Sequence, residues 1–217
     1  DPSLADLIDK LAAIDRYPAL FTLAFGDSAI TEPRLQSALA QFIRSIESFD
    51  APYDVGRANH RDNQDFDNFT AAENRGKRLF MAPPNDGGAG CAGCHRPPEF
   101  DIDPNTRNNG VINAIDGGTD LTNTRSPSLR DLVNPAGVPN GGLMHNGAFE
   151  SLEAVIEHYN RIPEDNDRLD QRLRRPGGGL QRLNFSEAQK TDLVEFLKTL
   201  TGSAVYTDPR WSDPFAL

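Results

Sequence analysis

The sequence predicts an all-α protein, and three observations carry that expectation. Apolar residues recur at helical spacing, as in Leu4, Leu7, Ile8, Leu11 and Ile14. Two capping boxes, Thr70–Glu73 and Ser186–Gln189, mark helix starts. No segment shows the sustained apolar–polar alternation of a half-buried strand.

Taken in order, residues 1–60 read as a helical lead segment. After its first helix, a second begins beyond Thr31 with Pro33 in the first turn, where a missing N–H costs nothing. That helix carries Leu35, Leu39, Phe42, Ile43 and Ile46 on one face, and Ala51–Asp54 closes the segment. The polar stretch 57–68 predicts a loop. A second domain, 61–217, follows. The Thr70 box opens a helix through Arg75, Leu79 and Phe80, ahead of a loop over Pro83–Gly90. From Arg96 to Glu150 there is almost no periodicity. So long an irregular stretch is unusual in a compact domain. It is accounted for if the segment wraps a large apolar group that completes the core. Ser151–Asn160 predicts a short helix. Arg168, Arg172, Arg174 and Arg175, with Gly177–Gly179, read as a solvated loop, with a docking patch as the alternative. The Ser186 box opens a helix to Leu200 whose buried face, Leu193, Phe196, Leu197 and Leu200, is expected to pack on Leu79 and Phe80. The tail is Pro-rich and holds the one Trp.

Composition narrows the function classes. Of 217 residues 37% are hydrophobic, with 18 Gly and 16 Pro, which fits long irregular segments. The net charge of −10 repels phosphate backbones, so no nucleic-acid partner is expected. The best apolar run, Ala19–Phe25, is far short of the ~18 residues of a membrane span. No signal peptide is evident, and a start at Asp1 reads as that of a mature product or a fragment.

The chain's two cysteines stand together in Cys91-Ala-Gly-Cys94-His95. A Cys-x-x-Cys pair serves as a zinc half-site, a redox dithiol or a haem attachment. Zinc needs about four ligands, and His60, His95, His145 and His158 lack the usual spacing. A thioredoxin-type dithiol expects a βαβ context, which this helical chain lacks. A histidine directly after the second cysteine selects c-type haem: two thioether bonds tether it, and His95 reaches the iron as proximal ligand. One covalent haem c, attached outside the cytoplasm in the periplasm, is therefore expected.

The sixth iron position decides between catalysis and electron transfer. Candidates are Met81, Met144, His145, His158 and Tyr159. Leu152, Val155, Ile156 and Tyr159 share one helix face. His158 points about 100° away and is expected to be exposed. Tyr159 thus faces the core or the haem, and a core tyrosine is the commoner role. Met144, in the Gly-rich turn Gly141–Gly147, is the default ligand of an ordinary small cytochrome.

The order of segments along the chain resembles the C-terminal haem domain of the bacterial di-haem cytochrome c peroxidase and MauG family. The matching pieces are Phe25-Gly26-Asp27 with Ile30-Thr31, Ala38–Ser48, Ala51–Asp54, Arg75–Phe80, Cys91–His95, Arg125–Arg130, Met144–Gly147, Ser151–Asn160 and Asp192–Leu197. Each is weak alone, and their order makes the match specific. The resemblance implies a cytochrome c fold around one covalent haem, with an N-terminal helical extension. It implies a distal ligand from the helix after His145, Met in the peroxidases and Tyr in MauG, which maps onto Tyr159. His145 itself would lie near the haem without binding iron, with Arg125 and Arg130 as partners of the haem propionates. A calcium ion would sit near Asn140 and Gly142, although the family's usual Thr and Pro are missing there. The family carries a second haem motif on an N-terminal domain, and this chain has one motif only. The implied role is the electron-transfer haem module of a peroxidase-type oxidoreductase using hydrogen peroxide, paired with a second haem domain or a redox partner protein, and a poor peroxidase in isolation. A stand-alone electron carrier and a haem-based sensor are the alternatives.

Overall fold

Ser3 starts the first helix by an exchange the sequence sets up locally. Its hydroxyl accepts the Asp6 N–H, and the Asp6 carboxylate accepts the Ser3 N–H. The computed structural model describes residues 3–100 and 103–213. It divides into two units, Asp1–Glu47 and Ser48–Leu217. In the first unit, α1 (Leu4–Ala12) is followed by α2 (Arg16–Phe25) and α3 (Glu32–Ser45). Helix α2, not foreseen from the pattern, ends at Gly26, whose φ of 91° suits a residue without Cβ. Arg34 and Asp27 pair at 2.5 Å. Among the described residues of this unit Phe21 alone is buried, whereas Leu39, Phe42 and Ile43 on α3 and Leu23 on α2 are exposed, Leu23 by 86%.

The second unit begins earlier than the expected boundary at residue 60. Helix α4 (Pro52–Arg57) belongs to it, because Tyr53 is fully buried in that unit's core. The supposed polar loop 57–68 also enters this core. Phe66 is 1% exposed, its backbone N–H and C=O are both held by the Asn74 amide, and the Lys77 ammonium lies 3.2 Å from its ring centroid.

Helices α5 (Ala71–Met81) and α7 (Glu187–Lys198) form the central pair of this unit. Both start at the expected boxes: Thr70 Oγ1 accepts from Glu73 N and Ser186 Oγ from Gln189 N, and each partner side chain answers the cap residue's N–H. They cross closely, since a Cβ built on Gly76 would stand 1.9 Å from the Asp192 carbonyl oxygen. The Arg75 guanidinium closes the crossing with two 2.7 Å bonds to the Asp192 carboxylate. Gly76→Ala is therefore expected to wedge the helices apart at a cost of about 1–3 kcal/mol or somewhat more, read as a lower urea midpoint with an unchanged slope.

Helix α6 (Leu152–Asn160) lays Leu152 and Ile156 into the same core, beside Leu193, Phe196, Leu197 and Phe80. Leu79 packs at the edge of that cluster, so the expected α5–α7 contact forms. Residues 96–100 and 103–150 stay irregular, with isolated bridges such as Val133–Pro139 and Leu143–Phe149. Yet this stretch supplies Phe100 and Val133 to the core. Rings of Tyr53 and Phe100 stand 4.8 Å apart, and those of Phe80 and Phe196 5.1 Å. The core is thus built of side chains. A bound group would lie against this side-chain cluster. The tail adds α8 (Ala204–Thr207) and a single 3-10 turn at Pro209–Trp211.

Candidate functional site

The Cys91–His95 segment is hung from the end of α5. Ala89 N–H donates to Leu79 O at 2.7 Å and Gly90 N–H to Ala82 O at 2.9 Å. A tight turn follows, in which Cys94 N–H and His95 N–H both reach Cys91 O, at 3.0 and 2.9 Å. One turn of chain therefore presents both thiols and the imidazole. The thiols form no disulfide, and Cys91 packs on the edge of the aromatic core. Burial pushes the Cys91 thiol up to about 12.

His95 Nδ1 lies 3.0 Å from Pro127 O. A carbonyl can only accept, so Nδ1 carries the hydrogen and Nε2 presents its lone pair. Burial lowers the His95 pKa to about 4, against the weaker opposing effect of that hydrogen bond, so the ring is neutral at ordinary pH. A neutral imidazole with one nitrogen anchored on a carbonyl is the form that ligates a metal.

Tyr159 and Met144 converge on one group. The Asn109 Nδ2 stands 3.4 Å from Tyr159 Oη and 3.5 Å from Met144 Sδ. Burial pushes the Tyr159 phenol up to about 12; Asn109 opposes this, and the charges of Cys91 and Cys94 reinforce it. The two cysteines and Tyr159 thus lie within electrostatic reach of one another. Met144 holds a left-handed backbone, φ 68°, which costs a side-chain-bearing residue some strain.

The remaining expected residues divide. His145 faces Asp120 at 3.7 Å. Arg125 is exposed and makes no ion pair among the described residues. Arg130 is committed elsewhere. Its fork closes on the Asp54 carboxylate at 2.7 and 2.8 Å and donates also to Ser48 O and Pro98 O, which makes it a tie within the fold rather than an open anion partner. His158, expected at the surface, is 7% exposed. The side of α6 that carries it is covered too, by Asn109, whose carbonyl meets His158 Nε2 at 2.8 Å, and by the Phe149 ring. Met81 packs at the edge of the core. Near the expected calcium position the Asn140 amide donates to Asp131 O and Tyr206 Oη. No three His, Cys, Asp or Glu side chains gather into a metal site among the described residues.

Arg172 is the residue that sequence reasoning missed. Far from being a solvated loop arginine, it grips Asp170 with Nε and Nη2 at 2.9 and 2.8 Å. Its Nη1 reaches Asp103 at 2.7 Å and the Gly93 carbonyl, inside the Cys-x-x-Cys turn, at 3.0 Å. Both carboxylates are nearly buried, and Asp103 is held below the usual carboxylate range chiefly by the Arg172 hydrogen bond. The sequence held its signal only as one adjacent aspartate, Asp170, and one distant one, Asp103.

These residues fit a covalently attached haem: two unpaired thiols on one turn, an imidazole with a fixed lone pair, and an oxygen and a sulfur donor meeting at one amide. Comparison with known proteins agrees. The family model described as di-haem cytochrome c peroxidase matches residues 1–62. The methylamine utilization protein MauG of Methylophilus methylotrophus is 30% identical over 210 residues, 93% of this chain and 57% of that protein. The protein of the same name from Methylorubrum extorquens is 32% identical over 205 residues, 89% and 52% respectively. A crystal structure of a MauG-like protein associated with microbial copper homeostasis superposes with a TM-score of 0.66 at 26% identity, covering 97% of this chain and 65% of the other. The chain thus spans little more than half the length of either MauG protein.

Proposed function

Because the chain belongs to the di-haem cytochrome c peroxidase and MauG family, we propose that it is one haem module of an oxidoreductase of that family, a cytochrome c fold carrying a single covalent haem c. The observation that carries the reading is the anchored imidazole, His95 Nδ1 on Pro127 O, directly beside two free cysteines. The haem, once attached, supplies one-electron redox chemistry. Cys91 and Cys94 would hold it by thioether bonds, and His95 Nε2 and the Tyr159 oxygen are the groups that would ligate its iron. Arg125, exposed and without an ion pair among the described residues, would be a cation available to a propionate. An anionic phenolate favours ferric over ferrous iron more strongly than a thioether does, so this module would sit at low potential.

In this reading the module exchanges electrons with a second haem domain or a redox partner protein. The chain's coverage of little more than half of its relatives supports this. So does the exposed apolar surface of α2 and α3, of the kind that a further protein surface covers. The location would be periplasmic, where haem attachment of this kind takes place.

Denaturing mass spectrometry provides the test. Chain and one haem should travel as a single species, and acid extraction should free no haem. Release of the haem, or a zinc ion in its stead, would reject the reading. With a ferrocytochrome donor the isolated chain should turn over hydrogen peroxide slowly; rapid turnover would move the peroxide-reactive iron onto this chain.

A further inference from the structure

We propose that Asn109 is a positioning residue for the distal iron ligand, through a hydrogen bond from its side-chain amide to the Tyr159 oxygen. The inference rests on the reading of Tyr159 as that ligand. Three contacts make Asn109 a fixed donor. Val111 N–H donates to its Oδ1 at 3.1 Å, so the amide can turn only one way, with Nδ2 toward Tyr159. Its backbone carbonyl is held by His158 Nε2 at 2.8 Å, from the residue adjoining Tyr159 on the same helix. Its Nδ2 then lies 3.4 Å from Tyr159 Oη and 3.5 Å from Met144 Sδ.

This arrangement gives the buried His158 a purpose. It ties the Asn109 backbone to α6, so the amide and the phenol move as one body. It also sets an order between the two rival donors. The amide hydrogens engage the thioether sulfur as well as the phenol, so Met144 is kept occupied while the rigid helix presents Tyr159. A donor to a ligating phenolate withdraws electron density from it and so weakens its donation to iron, as outer-shell hydrogen bonds do in metal sites generally. Asn109 would therefore raise the potential of the module relative to an unassisted phenolate.

The test uses the haem-loaded chain and reads spectrum and potential rather than activity. In Asn109→Leu the phenolate-to-iron charge-transfer band should move to longer wavelength and the potential should fall, with haem content unchanged. Asn109→Asp keeps the acceptor for Val111 N–H, removes the donor and adds a carboxylate charge, which pushes the potential the same way. It should shift both readouts the same way, and it serves if the leucine variant does not load haem. Asn109→Gln, which restores a donor, should recover part of the shift. Each variant is repeated with Tyr159→Phe. If the amide acts through the phenol, the Asn109→Leu effect disappears in that background. Wild-type band and potential in both the Leu and Asp variants overturn the proposal, as does an Asn109→Leu shift that persists without the phenol. Tyr159→Phe alone with a wild-type spectrum is a different failure, that of the ligand reading.

Discussion

Phe196→Ala is expected to lower the unfolding free energy by about 3–5 kcal/mol. Phe196 is fully buried, and its ring lies 5.1 Å from that of Phe80, 6.1 Å from Phe100 and 6.3 Å from Tyr53. These partners come from α5, the irregular wrap and α4, so one side chain joins three parts of the second unit. Truncation leaves a cavity whose walls are the rings themselves, and rigid walls collapse poorly. The cost belongs at the upper part of the range for that reason. Phe196→Leu, which keeps most of the volume, should lose much less. Urea unfolding monitored by circular dichroism checks both; a loss below about 1 kcal/mol for the alanine variant would mean that the rings do not share one packed core.

The second large effect is spectroscopic. Tyr159→Phe should change the ferric visible and EPR spectra of the haem-loaded chain, while Met144→Leu should leave them nearly intact. Phenylalanine preserves the ring's packing and removes the one atom that can ligate. The geometry admits both donors at a single amide, so the choice turns on their mounts. Tyr159 stands on α6, which Leu152 and Ile156 lock into the core. Met144 stands on a turn at φ 68°. If Met144→Leu alone alters the spectra, the sulfur is the ligand and Tyr159 a hydrogen-bonded neighbour.

How far the sequence could be read depended on whether the information was local. Helices α5 and α7 were legible because Thr70 with Glu73, and Ser186 with Gln189, satisfy the first orphan N–H groups within four residues. The Cys91–His95 candidate could be singled out for the same reason, since its three side chains fall within five residues. His158 was misplaced because the helix-phase argument assumes one buried face. Helix α6 has two: an apolar one toward α7, and a polar one toward Asn109 and Phe149 that leaves no periodic trace. Arg130 and Arg172 were misread because their partners, Asp54 and Asp103, stand 76 and 69 residues away, and no spacing rule links such pairs. Phe66 was lost in a polar stretch because a single buried ring among charges has no pattern to belong to.

The Arg75–Asp192 crossing has a kinetic side. It joins residues 117 positions apart, and most of the chain between them forms no helix. Bringing the ends of such a loop together costs about 4 kcal/mol of chain entropy beyond the constant of closure. Individual helices form within about a microsecond, so they do not limit the folding rate. The slow event is the search by which α7, near the end of the chain, finds α5. Until it succeeds, Gly76 lacks its Asp192 neighbour and Phe80 the Phe196 ring, and the loop that carries the cysteines hangs from an unpaired helix. A closure of this length is expected to make folding slower than that of a helical bundle held by local contacts.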